Sequence, residues 1–127
     1  MNKALGLIGI AKRGGKLGIG SEVCSIAVRD GKAKAICTTS DAGERTRDWA
    51  SCLDIPHLPL PVTKEELGAL LGRASCSQIV IFDVGIAAAV AEKLSEDSDA
   101  YADAVAELKA LHQRQLRRKQ KKISRKG

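Results

Sequence analysis

Lys12, Arg13 and Lys16 stand beside Gly14, Gly15, Gly18 and Gly20 in the segment KRGGKLGIGSE, residues 12–22. Glycines let a backbone approach a ligand closely. The N-terminus of a following helix adds free N–H groups and a partial positive charge. With mobile cations alongside, the stretch suits phosphates of a nucleic-acid backbone. Two nucleotide-binding motifs are excluded by spacing. A Walker loop needs Gly five positions before its Gly-Lys pair, where this chain has Ile10, and Ser or Thr after the Lys, where it has Leu17. Gly18-Ile19-Gly20 followed by Val23 is not a dinucleotide fingerprint either. The stretch taken alone has a second reading, in which the glycines end one helix and start another.

Other chemistry is sparse. His57 lies between Ile55-Pro56 and Leu58-Pro59 and reads as a packed side chain. His112 belongs to a basic run, and no serine sits in a nucleophile elbow. Asp41, Glu44 and Asp48 recur at helical spacing, as caps and dipole partners do. Cys24, Cys37, Cys52 and Cys76 are far apart with no CxxC, so they read as buried free thiols of a reducing compartment, not a zinc site. No catalytic residue, metal or cofactor is expected.

The net charge of +6 is unevenly spread. Residues 112–127 hold eight Lys/Arg and no acid, residues 1–34 carry +5, and residues 35–111 carry −7. Two basic ends around an acidic middle suggest a polyanion approached from particular sides. Ala4 to Ala11 is apolar, but Lys12 and Arg13 end it and no cleavage site follows, so no secretory signal is expected. No run approaches the roughly 20 apolar residues of a membrane span. The expected location is cytoplasmic, away from membranes.

The elements that position these residues can be read from periodicity. With one Trp, one Tyr and one Phe, the core must be aliphatic. Asn2 to Arg13 reads as a helix ended by Gly14 and Gly15, and residues 18–20 as a turn. Gly20 or Ser21 caps a helix running to Asp30. AKAICTT, 33–39, reads as a strand buried on both faces. Ser40 or Asp41 caps a third helix through Trp49. HLPLPV, 57–62, is short and extended, an edge or a strand end because its prolines forbid a central position. Thr63 with Glu66 forms a capping box opening a helix through Leu67, Leu70 and Leu71. QIVIFDV, 78–84, is the strongest strand, followed by an Ala-rich helix from Gly85 to Leu94. This alternation predicts an α/β sandwich with helices on both faces of a small sheet. Tyr101, Val105, Leu108 and Leu111 then recur at helical spacing. After His112 the stripe fades into a basic run, read either as a solvated end or as an arm for nucleic acid. Residues 1–96 are expected as the α-β-α domain and 97–127 as a C-terminal helix running into a basic tail.

GLIGIAKRGGKLGIGSE, VRDGKAKAICTTSDAGERT and LGALLGRASCSQIVIFD, in this order, resemble the bacterial YlxQ-like branch of the large-subunit ribosomal protein seven-Ae/thirty-e family, over about residues 3–94. The resemblance implies a three-layer α-β-α sandwich around a four-stranded mixed sheet. It also implies structured RNA, ribosomal or other and often kink-turns, as the partner, with ribosomal or other proteins as further candidates. RNA in the family sits against the turn opening the second helix, here Gly20 and Ser21, and a loop before the last strand, here about Arg73 to Ser77. Kink-turn binders carry a polar pair after that turn, commonly Asn then Glu, and a Lys three residues beyond. This chain has Glu22, Val23 and Ile26 there. An ionised carboxylate cannot donate to a base edge, and Val and Ile offer no polar group. The expected RNA contacts are therefore Gly18, Gly20, Ser21 and Glu22 at the turn; Lys12, Arg13, Lys16, Lys32, Lys34 and Arg73 on phosphates; and Arg117, Arg118, Lys119, Lys121 and Lys122 on the basic arm. Loss of kink-turn recognition leaves a protein-interaction module as the alternative.

Overall fold

A computed structural model describes residues 2–126, with side chains described from Lys3 to Lys121. Six helices and four strands alternate: α1 Asn2–Arg13, β1 Leu17–Ile19, α2 Ser21–Arg29, β2 Ala35–Thr38, α3 Glu44–Ser51, β3 His57–Pro59, α4 Lys64–Leu71, β4 Gln78–Ile81, α5 Val84–Ser95 and α6 Ala102–Lys126, the last preceded by a 3₁₀ turn, Asp99–Tyr101. The sheet order is β1-β4-β2-β3. β2 and β3 are parallel, and β4 runs antiparallel to both of its neighbours, so the sheet is mixed.

Strand alternation divides the core into two layers. Ala35, Cys37, Ile79 and Ile81 face α1, α4, α5 and the first half of α6, with Ile8, Leu67, Leu71, Val90 and Leu108 filling the space. Ile36 and Val80 face α2 and α3, against Cys24, Ala27 and Ala50. The result is the expected α-β-α sandwich. Tyr101 ties the 3₁₀ turn to the sheet edge by donating its hydroxyl proton to the Pro59 carbonyl. The Thr63–Glu66 capping box is present, and Asp83 caps α5 by accepting from the Ile86 N–H at 2.9 Å.

Four local expectations are corrected. Residues 17–19 form the fourth strand, not a turn: Leu17, Gly18 and Ile19 register with Ile81, Val80 and Ile79. Gly18 is required there because a Cβ would stand 2.6 Å from Val23 Cγ1 and 2.7 Å from Val80 Cγ1. Asp41 does not cap α3, which starts after Gly43 without a side-chain cap; its carboxylate accepts from the Lys64 N–H at 2.9 Å, at the start of α4. The run after His112 is not a loose end, since α6 is continuous from Ala102 to Lys126 and Leu108 in its first half is fully buried in the main core. Its 25 residues span about 37 Å. Cys24, Cys37 and Cys76 are buried, but Cys52 is exposed.

Candidate nucleic-acid interface

The strand registers define two ends of the sheet. Ile19, Thr38 and Gln78 lie at one, which leads into α2. Lys16, Lys34 and Phe82 lie at the other: the Phe82 N–H donates to the Lys16 carbonyl and the Lys34 N–H to the Ile81 carbonyl, each at 2.9 Å. Four residues of extended chain separate Lys16 from Gly20, about 13 Å. The residues expected to form one interface are therefore distributed over two.

At the α2 end, Gly20 occupies the N-cap with φ +99°, a conformation that favours glycine. Its N–H donates to the Gln78 carbonyl at 3.1 Å, which fixes the turn to the central strand β4. No side chain caps α2, so the N–H groups of its first turn are left for a ligand or solvent. Beside this turn, Ser21, Ser25, Arg45, Thr46, Trp49 and Gln78 line a cleft of about 180 Å³ between α2 and α3. Gln78 is 5% exposed, and its side-chain Oε1 has no hydrogen-bond partner among the described residues. An unsatisfied buried carbonyl oxygen is costly unless something accepts the role of donor. Glu22 is exposed next to the turn. Val23 and Ile26 are 41% and 42% exposed, so they do not serve as core. Gly18, by contrast, is buried within β1.

Sequence reading missed Gln78, Trp49 and Arg45. The one available signal was a glutamine opening an otherwise apolar strand. Its orphaned oxygen emerges only when α2 and α3 close over it.

At the opposite end, Lys34, Val84, Leu111, Arg114, Gln115 and Arg118 line a second cleft of about 190 Å³. Lys16 and Lys32 are exposed, and both belong to this end; the Lys32 N–H donates to the Ala27 carbonyl in the last turn of α2. Lys12 has another task, donating its ammonium to the Leu71 carbonyl at 2.6 Å and so closing the C-terminus of α4. Arg13 and Arg73 are exposed beside the ends of α1 and α4. Arg117, Lys119 and Lys121 are exposed along α6, and Lys122 lies outside the described side chains.

The remaining titratable groups are structural. His57 Nε2 and Thr38 Oγ1 are 2.7 Å apart, Ser51 Oγ is 3.4 Å from Nδ1, and desolvation by burial holds the ring below the ordinary histidine range. Burial, with the neighbouring Cys76 thiol adding to it, pushes the Cys24 thiol up to about 12. Burial likewise raises Cys37. These are poor nucleophiles at neutral pH. No helix among the described residues is long and apolar enough to cross a membrane.

The chain is similar to a curated protein, RNA-binding protein YlxQ of Enterococcus faecium, with 35% identity over 75 residues, covering 56% of this chain and 72% of that protein. A solved structure of a Bacillus halodurans C protein of unknown function has the same fold. It matches with a TM-score of 0.64 and 29% identity, covering 71% of this chain and 94% of its own. No protein-family model matches the chain.

Proposed function

Because the chain belongs to the YlxQ family, we propose that it is a cytoplasmic RNA-binding protein that acts on ribosomal or other structured RNA by binding alone, without catalysis. The observation that carries this reading is the cleft beside the uncapped start of α2, with Gln78 Oε1 unpartnered. Proteins that recognise RNA by sequence take unstacked bases, lay them on aromatic or guanidinium planes and hydrogen-bond their edges. Trp49 and Arg45 supply planes, and the Gln78 oxygen supplies an acceptor for an exocyclic amine. The hydroxyls of Ser21 and Ser25, with the N–H groups opening α2, suit a phosphate or sugar.

This arrangement compensates for Glu22, Val23 and Ile26, which lack the base-reading groups of kink-turn binders. Base contact moves from the α2 turn to the neighbouring cleft. Backbone contact falls to the exposed cations Arg13, Lys16, Lys32 and Arg73 and to Arg117, Lys119 and Lys121 along α6.

Fluorescence anisotropy with a kink-turn, a plain duplex and total ribosomal RNA, each at two salt concentrations, tests the reading. If about six to eight phosphates are engaged, log affinity falls against log salt with a slope of about −5 to −7. Gln78→Leu should lower whatever preference the protein shows among the three RNAs. A slope near zero, or no binding to any of them, overturns the proposal.

A second reading has one observation in its favour. Val23 and Ile26 together present an exposed apolar strip on α2, as a protein-binding domain of this fold would need. Absence of RNA binding would shift the assignment to that reading.

A further inference from the structure

The two clefts differ in chemistry and lie across the length of the sheet from each other. The one at the α6 end is cationic. Leu111, Arg114, Gln115 and Arg118 follow one another at i, i+3, i+4 and i+7, so a single stripe of α6 faces Lys34 and Val84. The stripe extends about 10 Å along the helix axis. No acidic residue lines the cleft. Lys34, Arg114 and Arg118 form no ion pair among the described residues. Asp83, which precedes Val84, has its carboxylate engaged by the Ile86 N–H.

Three cations that line one groove without an ion pair raise the local potential, and an anion relieves it. Arginine forks suit phosphate oxygens in bidentate geometry. The groove is elongated, with an apolar floor of Val84 and Leu111 and an amide from Gln115. It therefore fits a run of backbone better than one isolated phosphate. Lys16 and Lys32 at the same end widen the positive field around it.

We propose that this cleft is a second, independent binding site for an RNA phosphodiester backbone, so that one protein molecule holds two RNA segments together, one at each end of the sheet. This rests on the RNA-binding reading above. An RNA seated against α2 leaves the α6 cleft open, because the sheet lies between them.

The test uses the full-length protein and two copies of an RNA duplex carrying an unpaired loop, one immobilised on beads and one fluorescently labelled. The protein should capture the labelled duplex onto the immobilised one. Sedimentation velocity at RNA excess should give two duplexes per monomer. The second binding step should weaken with log salt at a slope of about −3, for three engaged cations. The Lys34→Gln, Arg114→Gln, Arg118→Gln variant should still bind one duplex but show capture reduced by about tenfold or more at physiological salt. If the triple variant is poorly folded by circular dichroism, Arg114→Gln with Arg118→Gln repeats the test without touching the sheet, with the same loss of capture expected. The inference fails if the wild-type protein binds only one duplex, or if capture survives either variant, as bridging by a protein dimer would. In those cases RNA binding itself still stands. If the wild-type protein binds no RNA at all, it is the functional reading that falls first.

Discussion

The two ends of the sheet are built from the same strands yet offer opposite chemistry. At the α2 end the cleft holds a buried, unpartnered amide oxygen, a tryptophan and three hydroxyl side chains. At the α6 end it holds three cations over an apolar floor. Base contacts specify and phosphate contacts position, and here the groups suited to each are some four strand residues apart. Charge patterning in the sequence announced two basic regions but could not say that Lys16 and Lys34 share one end while Gly20 sits at the other. That depends on β1 pairing antiparallel with β4.

The strongest way to break the comparison is to detach one end. Leu108 is fully buried where α6 meets the core. Leu108→Ala should cost about 2–5 kcal/mol of stability in chemical denaturation. If α6 loosens as a unit, hydrogen exchange should rise along it and capture of a second RNA should fall, while the cleft between α2 and α3 keeps its protection. A variant that unfolds uniformly, with both ends lost together, would show that the ends are not separable.

Gly18→Ala makes the converse attack on the α2 side. The added methyl meets side chains of Val23 and Val80, one on α2 and one on the sheet. Overpacking of this kind costs about 1–3 kcal/mol, read as a lower denaturation midpoint. The shift should displace α2 and so reduce RNA discrimination more than total RNA affinity. An unchanged midpoint would mean that α2 has room to move away from β1 without loss.

Trp49→Ala removes one planar surface from the cleft, together with its packing against the core beneath α2 and α3. A stacked base is worth about 1–3 kcal/mol, so affinity for the preferred RNA should drop roughly five- to a hundredfold, while the salt slope stays the same. Unchanged preference and slope with only a lower denaturation midpoint would place Trp49 in the core only.

Much of the frame was legible in the sequence because local rules determine it. The bounds of α1, the Thr63–Glu66 box, the existence of β4 and the exclusion of the proline-bearing β3 from the sheet centre follow from periodicity, capping and the missing N–H of proline. Strand β1 was not legible, because Leu-Gly-Ile in the run Gly-Lys-Leu-Gly-Ile-Gly has the composition of a turn; its strand geometry comes from pairing with β4. The basic run of α6 was ambiguous because it lacks an apolar face. Arg, Lys and Gln are nevertheless good helix formers, and the helix is already nucleated by the Tyr101–Leu108 anchor. The α2–α3 cleft was invisible for a different reason. Gln78 carries information only through what fails to reach it, and that is a property of three elements distant in sequence.

The smallest effect separates the ends by pH. His57 joins β3 to Thr38 and to Ser51 of α3, on the face that carries the α2–α3 cleft. Burial lowers its pKa in the folded state, so the unfolded chain takes up the proton more readily. This contribution to stability is present above the unfolded value of about 6.5 and is lost as pH falls through it toward the lower folded value. Charging His57 should loosen α3 against the sheet and weaken base discrimination at the α2 end. No histidine lines the α6 cleft, so charging His57 should leave capture of a second duplex in place. His57→Gln removes the titration and should flatten the dependence of both stability and discrimination on pH below neutrality. If the wild-type protein and the variant show the same pH profile, His57 does not couple to the cleft.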